Sequence, residues 1–188
     1  MSRWEPDAPG RLARAALELY VEHGFDQTTV AQIAQRAGLT ERTFFRHFAD
    51  KREVLFRGSN ELESLLVAAI AAAPEPTAPI DTIAAALDAA GRAMQENRDG
   101  ARLRQSVIVA NPELRERELI KLAKLSTALA AALRERGVDD LTAELTAEAG
   151  IAVFRVAFTR WVDDAEAPEF PQVIRESLDQ LKAVTAGT

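Results

Sequence analysis

The sequence predicts an all-α protein: an N-terminal three-helix helix-turn-helix module, then a C-terminal helical bundle, about nine helices in total. Three observations carry this. Alanine, leucine, glutamate and arginine dominate the 188 residues, and all are strong helix formers. No stretch sustains the period-two alternation of β-branched residues that a half-buried strand needs. Prolines and glycines fall between segments whose apolar residues recur every three or four positions. No internal repeat of fixed period interrupts that pattern.

Pro6, Pro9 and Gly10 are expected to keep the first ten residues irregular. A first helix follows over 11–23, with Leu12, Ala16, Leu19 and Tyr20 on one face and Gly24 to end it. A second spans 30–37, where Thr29 and Gln32 have capping-box spacing and Gly38 stops the helix. Thr40 is the natural N-cap of a third helix over 41–47. The fourth is expected from residue 51 to 73, with Asp50 as N-cap and Glu53 three residues on. Pro74, Pro76 and Pro79 form the clearest break. Helices over 80–97, 100–110, 112–136, 141–163 and 170–184 complete the chain. Asn111-Pro112 pairs an N-cap with an N1 proline, Gly137 ends the long helix, and Pro168 and Pro171 separate the last two. The division into domains is 1–50 and 51–188.

Composition removes whole classes of function. With no cysteine there is no disulfide, thiolate nucleophile or cysteine-ligated metal, and only His23 and His47 could serve a histidine-dependent site. No Gly-rich phosphate loop, metal-binding spacing or nucleophile elbow occurs, so neither enzyme, cofactor nor metal site is expected. The longest apolar run, Leu65 to Ala73, falls far short of the ~20 residues of a membrane span. The N-terminus lacks the apolar core of a secretory signal, and a cytoplasmic location is the expectation. The 36 alanines fit a GC-rich bacterial genome.

Charge is uneven. Residues 1–60 hold nine Lys/Arg and eight Asp/Glu, net +1, while 61–188 hold fourteen and twenty-one, net −7. Arg36, Arg42, Arg46, Lys51, Arg52 and Arg57 cluster among only three acidic residues, as either a solvated face or the footprint of a polyanion. The same region has the form of two helices joined by a short glycine-containing turn, Gly38-Leu39-Thr40. Val30, Ile33, Ala34, Leu39, Phe44 and Phe48 would close a small core with Leu19, Tyr20 and Phe25. Arg42, Thr43, Arg46 and His47 would then face outward from a helix short enough to enter a major groove.

These residues also carry a family resemblance. The stretch from Glu18 to Leu55, with Gly24-Phe25, Thr28-Thr29-Val30, Ile33-Ala34, Ala37-Gly38, Phe48 and Lys51 in order, resembles the DNA-binding domain of the TetR family of transcriptional regulators. The resemblance implies a homodimeric, operator-binding repressor released by a small molecule, with palindromic double-stranded DNA as its partner. It places Thr28 and Thr29 where the second helix meets phosphate. Arg42, Thr43 and Phe44 occupy the base-reading start of the recognition helix, and Phe45, His47 and Lys51 fall at phosphate-contacting positions. Phe45 departs from the tyrosine often found there and lacks its hydroxyl.

Further along, Asn111–Leu119 and Gly150–Trp161 resemble TetR regulators whose C-terminal domain is described as binding acyl-coenzyme-A-like ligands, similar to the mycofactocin regulator. Ile151, Phe154, Phe158 and Trp161 form a stripe on one long helix, either core packing or the wall of an apolar tunnel. Arg155 beside them is either at the surface or buried for an anion. Arg102, Arg104, Gln105, Arg155 and Phe158 are the candidate effector contacts. The last two helices are expected to form the dimer interface, through Val153, Val156 and Ala157 on one and Val173, Ile174, Leu178 and Leu181 on the other. A multidrug or aromatic-compound sensor of the same family, an activator in place of a repressor, and a helical ligand-binding or scaffold protein without DNA binding are the alternatives.

Overall fold

The computed structural model describes residues 7–187, and Pro6 lies outside them. Among the described residues there are nine α-helices and no strand. The chain forms two compact units.

The first unit contains the described residues up to Gly58 together with Leu103–Glu118. Helix α1 (Ala8–His23) begins earlier than expected, because the Asp7 carboxylate accepts from the Gly10 amide and Pro9 falls in the first turn, where its missing N–H costs nothing. Helix α2 (Val30–Arg36) opens on the expected capping box: Thr29 Oγ accepts from the Gln32 amide, and Gln32 Oε1 accepts from the Thr29 amide at 2.8 Å. Helix α3 (Glu41–His47) is capped by Thr40.

The fourth helix does not start at Lys51. Asp50 Oδ1 accepts from the amides of Arg52 and Glu53, as a cap should, but the chain then forms a 3₁₀ turn over Glu53–Phe56. Val54, Leu55 and Phe56 are all buried, and three consecutive buried residues do not suit a helix with a single apolar stripe. Helix α4 (Ser59–Ala71) begins only after Gly58.

Two later helices supply the rest of this unit: the end of α6 (Arg98–Ala110) and the start of α7 (Pro112–Glu135). Val107, Ile108 and Leu114 are buried in one cluster with Leu12, Phe44 and Phe56. Arg117 pairs with Glu53 and Arg104 with Glu118. Asn111 precedes α7 as expected, but its side-chain Nδ2 donates to the Val107 carbonyl at 2.6 Å and so finishes α6.

The second unit holds Ser59–Arg102 and the residues from Leu119 onward. Helix α5 (Pro79–Met94) packs against α4, α8 (Asp140–Asp163) and α9 (Phe170–Ala186). Two glycines permit this. A Cβ on Gly150 would lie 2.5 Å from Ile83 Cγ2, and one on Gly91 would lie 2.9 Å from Ile174 Cδ1. Val153, Ala157, Val173, Ile174 and Leu178 are buried here, so these residues belong to the protomer's own core and not to a face awaiting a second copy. Of the expected interface residues Val156 is exposed (53 %), and α8 also exposes Leu141 (67 %) and Leu145 (61 %). No helix among the described residues is long and apolar enough to cross a membrane.

Candidate nucleic-acid interface

The turn between α2 and α3 depends on Gly38. Its φ of 66° is left-handed, which glycine adopts without steric cost. The Gly38 amide donates to Gln35 O and the Leu39 amide to Ala34 O, closing a Schellman motif. Arg11 adds a donor to the Ala37 carbonyl, and its guanidinium would lie 3.0 Å from a Cβ at Gly38. Ile33 and Ala34 of α2, with Phe44 and Phe48 of α3 and its C-cap, face the core and set the angle between the two helices.

What remains outside is the candidate surface. Arg42, Phe45, Arg46 and His47 are exposed on α3, and Thr29 is exposed at the start of α2. Arg42 has no ion-pair partner among the described residues, and Arg46 lies 3.3 Å from His47 Nε2. Sequence reasoning places Arg46 only in the basic outer face; its i, i+4 relation to Arg42 is the signal that could assign it to the site. Phe45 is 56 % exposed, and its ring rests edge-on against buried Phe44 at 5.4 Å, which restricts its orientation. Thr43 is half-buried, its hydroxyl 3.0 Å from that of the cap residue Thr40. Arg36 is not part of this surface, because Glu22 and Glu18 hold it.

Three expected contact residues are turned to other work. Thr28 is 1 % exposed, and its hydroxyl donates to the carbonyls of Gly24 and Leu19, so it closes the turn after α1 and offers nothing to a phosphate. Phe44 is completely buried and is a core residue, not a base reader. Lys51 donates to the carbonyls of Phe25, Asp26 and Thr28 and lies 4.4 Å from the centroid of the Phe25 ring. An ammonium has three N–H donors, and all three have acceptors. Tyr20 completes this latch by donating to the Lys51 carbonyl at 2.6 Å; burial, with Asp50 nearby, raises its pKa above the ordinary phenol value.

The N-terminal residues 12–57 match the family model described as bacterial regulatory proteins of the tetR family, and residues 77–186 match the model of the MftR C-terminal domain. This chain belongs to the TetR family. TcmR of Streptomyces glaucescens, described as an HTH-type transcriptional regulator, is 28 % identical over 96 % of this chain and 90 % of its own length. FadR of Bacillus subtilis, solved in complex with stearoyl-CoA, superposes with a TM-score of 0.63 at 19 % identity, covering 92 % of this chain and 96 % of that one. A complex of SmeT with triclosan gives 0.67 at 18 %, over 94 % and 90 %. At these identities the two structures speak to the fold. This TetR-family protein is therefore a helix-turn-helix transcriptional regulator, and the curated relatives it matches are regulators, not enzymes.

Two of the candidate effector arginines, Arg102 and Arg104, are bonded to backbone carbonyls. Arg102 donates through Nε to the Val162 carbonyl at 2.6 Å, and Arg98 donates to the carbonyls of Trp161, Asp164 and Ala165. Both serve as caps for the C-terminal end of α8, where carbonyls lack helical partners. Arg104 donates to the Leu55 carbonyl at 2.7 Å, pairs with Glu118 at 3.0 Å and lies over the Phe56 ring. Burial lowers its pKa, and Glu118 opposes that. Gln105 Oε1 is buried with no donor among the described residues. Arg155 is exposed, which settles it as a surface side chain of this protomer. Phe158 is half-buried within an aromatic cluster with Phe154, Trp161 and Phe170. No group of three or more metal-ligating side chains occurs among the described residues.

Proposed function

We propose that the protein is a repressor that binds a palindromic operator as a homodimer and releases it on binding a hydrophobic, acyl-CoA-like effector. The observation that carries the DNA-binding half is the outer face of α3: Arg42, Phe45, Arg46 and His47 are exposed together on a helix whose two ends and opposite face are held by caps and core. An arginine can bind the O6 and N7 of guanine with two hydrogen bonds, and a phenyl ring suits a sugar or thymine methyl. Thr29 is exposed at the start of α2, with its hydroxyl engaged in the capping box, at a position where the family resemblance places phosphate.

Dimerisation rests on the exposed residues of α8. Leu141, Leu145, Ala152 and Val156 recur along one side of that helix, small or apolar, where a symmetry mate would cover them. A twofold dimer presents two recognition helices to major grooves one helical turn, about 34–36 Å, or a multiple of it apart.

The acyl reading draws on the MftR-type C-terminal model and on a fold shared with a stearoyl-CoA complex. Release requires the effector to bind the DNA-incompetent state more tightly. Helices α6 and α7 each have residues in both compact units, which makes them the natural carriers of that preference. The aromatic cluster and the triclosan-bound neighbour favour a second reading, an aromatic-compound sensor on the same DNA-binding frame.

The test is a thermal-shift panel of acyl-CoA esters, free fatty acids and aromatic drugs, followed by fluorescence anisotropy on an operator selected from random duplexes. A melting shift that grows with acyl length and needs the coenzyme A part, with loss of operator binding at the same concentrations, is the expected result. A shift with aromatic compounds alone would replace the acyl reading with the second one.

A further inference from the structure

Trp161 lies at the centre of the aromatic cluster in the second unit. Its ring stacks on Phe170, centroids 4.6 Å apart and planes 15° apart, with Phe158 at 6.1 Å. Phe154 touches both phenylalanines, at 6.2 Å from Phe158 and 5.9 Å from Phe170. The indole is fully buried, yet its Nε1–H finds no acceptor among the described residues. Buried donors without acceptors are uncommon in folded proteins, because the group has given up its hydrogen bond to water.

The Trp161 and Val162 carbonyls and the Phe170 amide beside the cluster are all paired. The Trp161 carbonyl accepts from Arg98 Nε at 2.8 Å and the Val162 carbonyl from Arg102 Nε. The Phe170 amide donates to Gln95 Oε1 at 2.6 Å. The side of the cluster that reaches solvent is Phe158, its one half-buried ring.

We propose that the Trp161 indole N–H is the hydrogen-bond donor for the acyl carbonyl oxygen of the effector, with Phe158 as the ring that yields to admit it. This rests on the acyl-effector reading and deepens it. The donor selects a neutral oxygen. An indole offers one uncharged N–H, and Arg98, whose guanidinium lies 5.8 Å from the ring, directs three of its five donors to backbone carbonyls. One neutral donor compensates a buried carboxylate poorly, whereas a thioester carbonyl needs only that single donor. The phenyl faces of Phe154, Phe158 and Phe170 supply the apolar surface for the adjoining methylenes.

The experiment uses the full chain carrying Trp4→Phe, which leaves Trp161 as its only tryptophan. Lauroyl-CoA and laurate are titrated separately, reading melting temperature, Trp161 emission and the ¹⁵N–¹H indole cross-peak. With lauroyl-CoA the emission changes saturably and the indole proton moves downfield. Trp161→Phe, which keeps the stacked ring and removes the donor, loses about tenfold in affinity, the scale of one hydrogen bond. Its ligand-free melting temperature reports whether it folds, and the cross-peak of the unsubstituted ring decides the matter if it does not. A melting shift by lauroyl-CoA with a stationary indole peak would overturn this inference and leave the acyl-effector reading standing. Equal binding of laurate would overturn the selection for a neutral carbonyl. No shift with any acyl-CoA would remove both.

Discussion

Arg42 and Lys51 show how two cations a few positions apart take opposite roles. Arg42 has no ion-pair partner among the described residues and lies on the exposed face of α3, while Lys51 is spent on three carbonyls and the face of Phe25. Arg42→Ala should therefore weaken operator binding by about 1–3 kcal/mol per half-site while leaving random DNA nearly unaffected, measured by anisotropy on both duplexes. Equal losses on the two would make Arg42 a phosphate contact. Lys51→Ala should instead lower stability, by about 1–3 kcal/mol in urea unfolding, since it leaves half-buried carbonyls without donors. Unchanged stability with weaker DNA binding would return Lys51 to the interface. The Arg36–Glu22 pair carries a pH dependence. Its hydrogen bond holds the Glu22 carboxyl below the ordinary carboxylate range, so its contribution is present at neutral pH and fades as pH falls through that lowered value. The stability difference between wild type and Arg36→Ala should accordingly vanish in acid; a difference that survives there would trace to packing.

At the level of helices, caps and glycines do most of the specifying. The capping box at Thr29 and the Schellman turn at Gly38 are local devices, readable from residues three or four apart, and α2 and α3 begin at the expected residues. The fourth helix starts later than its local signal implies, because the cap at Asp50 is real but serves a 3₁₀ turn. Capping chemistry marks where a chain can turn into a helix; the joint burial of Val54, Leu55 and Phe56 selects the tighter turn. Gly150 makes the same point for α8. Replacing it with alanine gains about 1 kcal/mol of helix propensity but drives a methyl into Ile83, and overpacking costs about 1–3 kcal/mol. Gly150→Ala should lower the melting temperature, and a rise would show that α5 and α8 can separate without loss.

For the molecule as a whole, the exposed apolar residues of α8 bear on assembly. Leu145→Glu with Val156→Glu should shift the protein toward monomer in analytical ultracentrifugation and weaken operator binding, because the two half-sites would no longer be held by one dimer. A pair of substitutions that leaves the dimer intact would move the interface elsewhere. The charge asymmetry belongs to this level too. A first segment of net +1 ahead of a segment of net −7 implies that binding to random DNA is modest and falls steeply with salt.

Helix positions, the turn chemistry of the DNA-binding module and the family were legible in the chain, because propensity, caps and breakers act over a few residues and the TetR-like stretch is continuous. Which side of each helix faces inward was legible only in part. Thr28, Phe44 and Lys51 sit at positions that resemblance gave to DNA, and Val173, Ile174 and Leu178 form a stripe that suited a dimer, yet all six are committed to the protomer's interior or its backbone. Nor does any local signal join Leu103–Glu118 to the N-terminal module; Ile108 and Leu114 are ordinary apolar residues until a distant core closes on them. Local hydrogen bonding sets where a helix starts and stops, but which face is buried depends on partners dozens of residues away, and those partners exist only once the chain has packed.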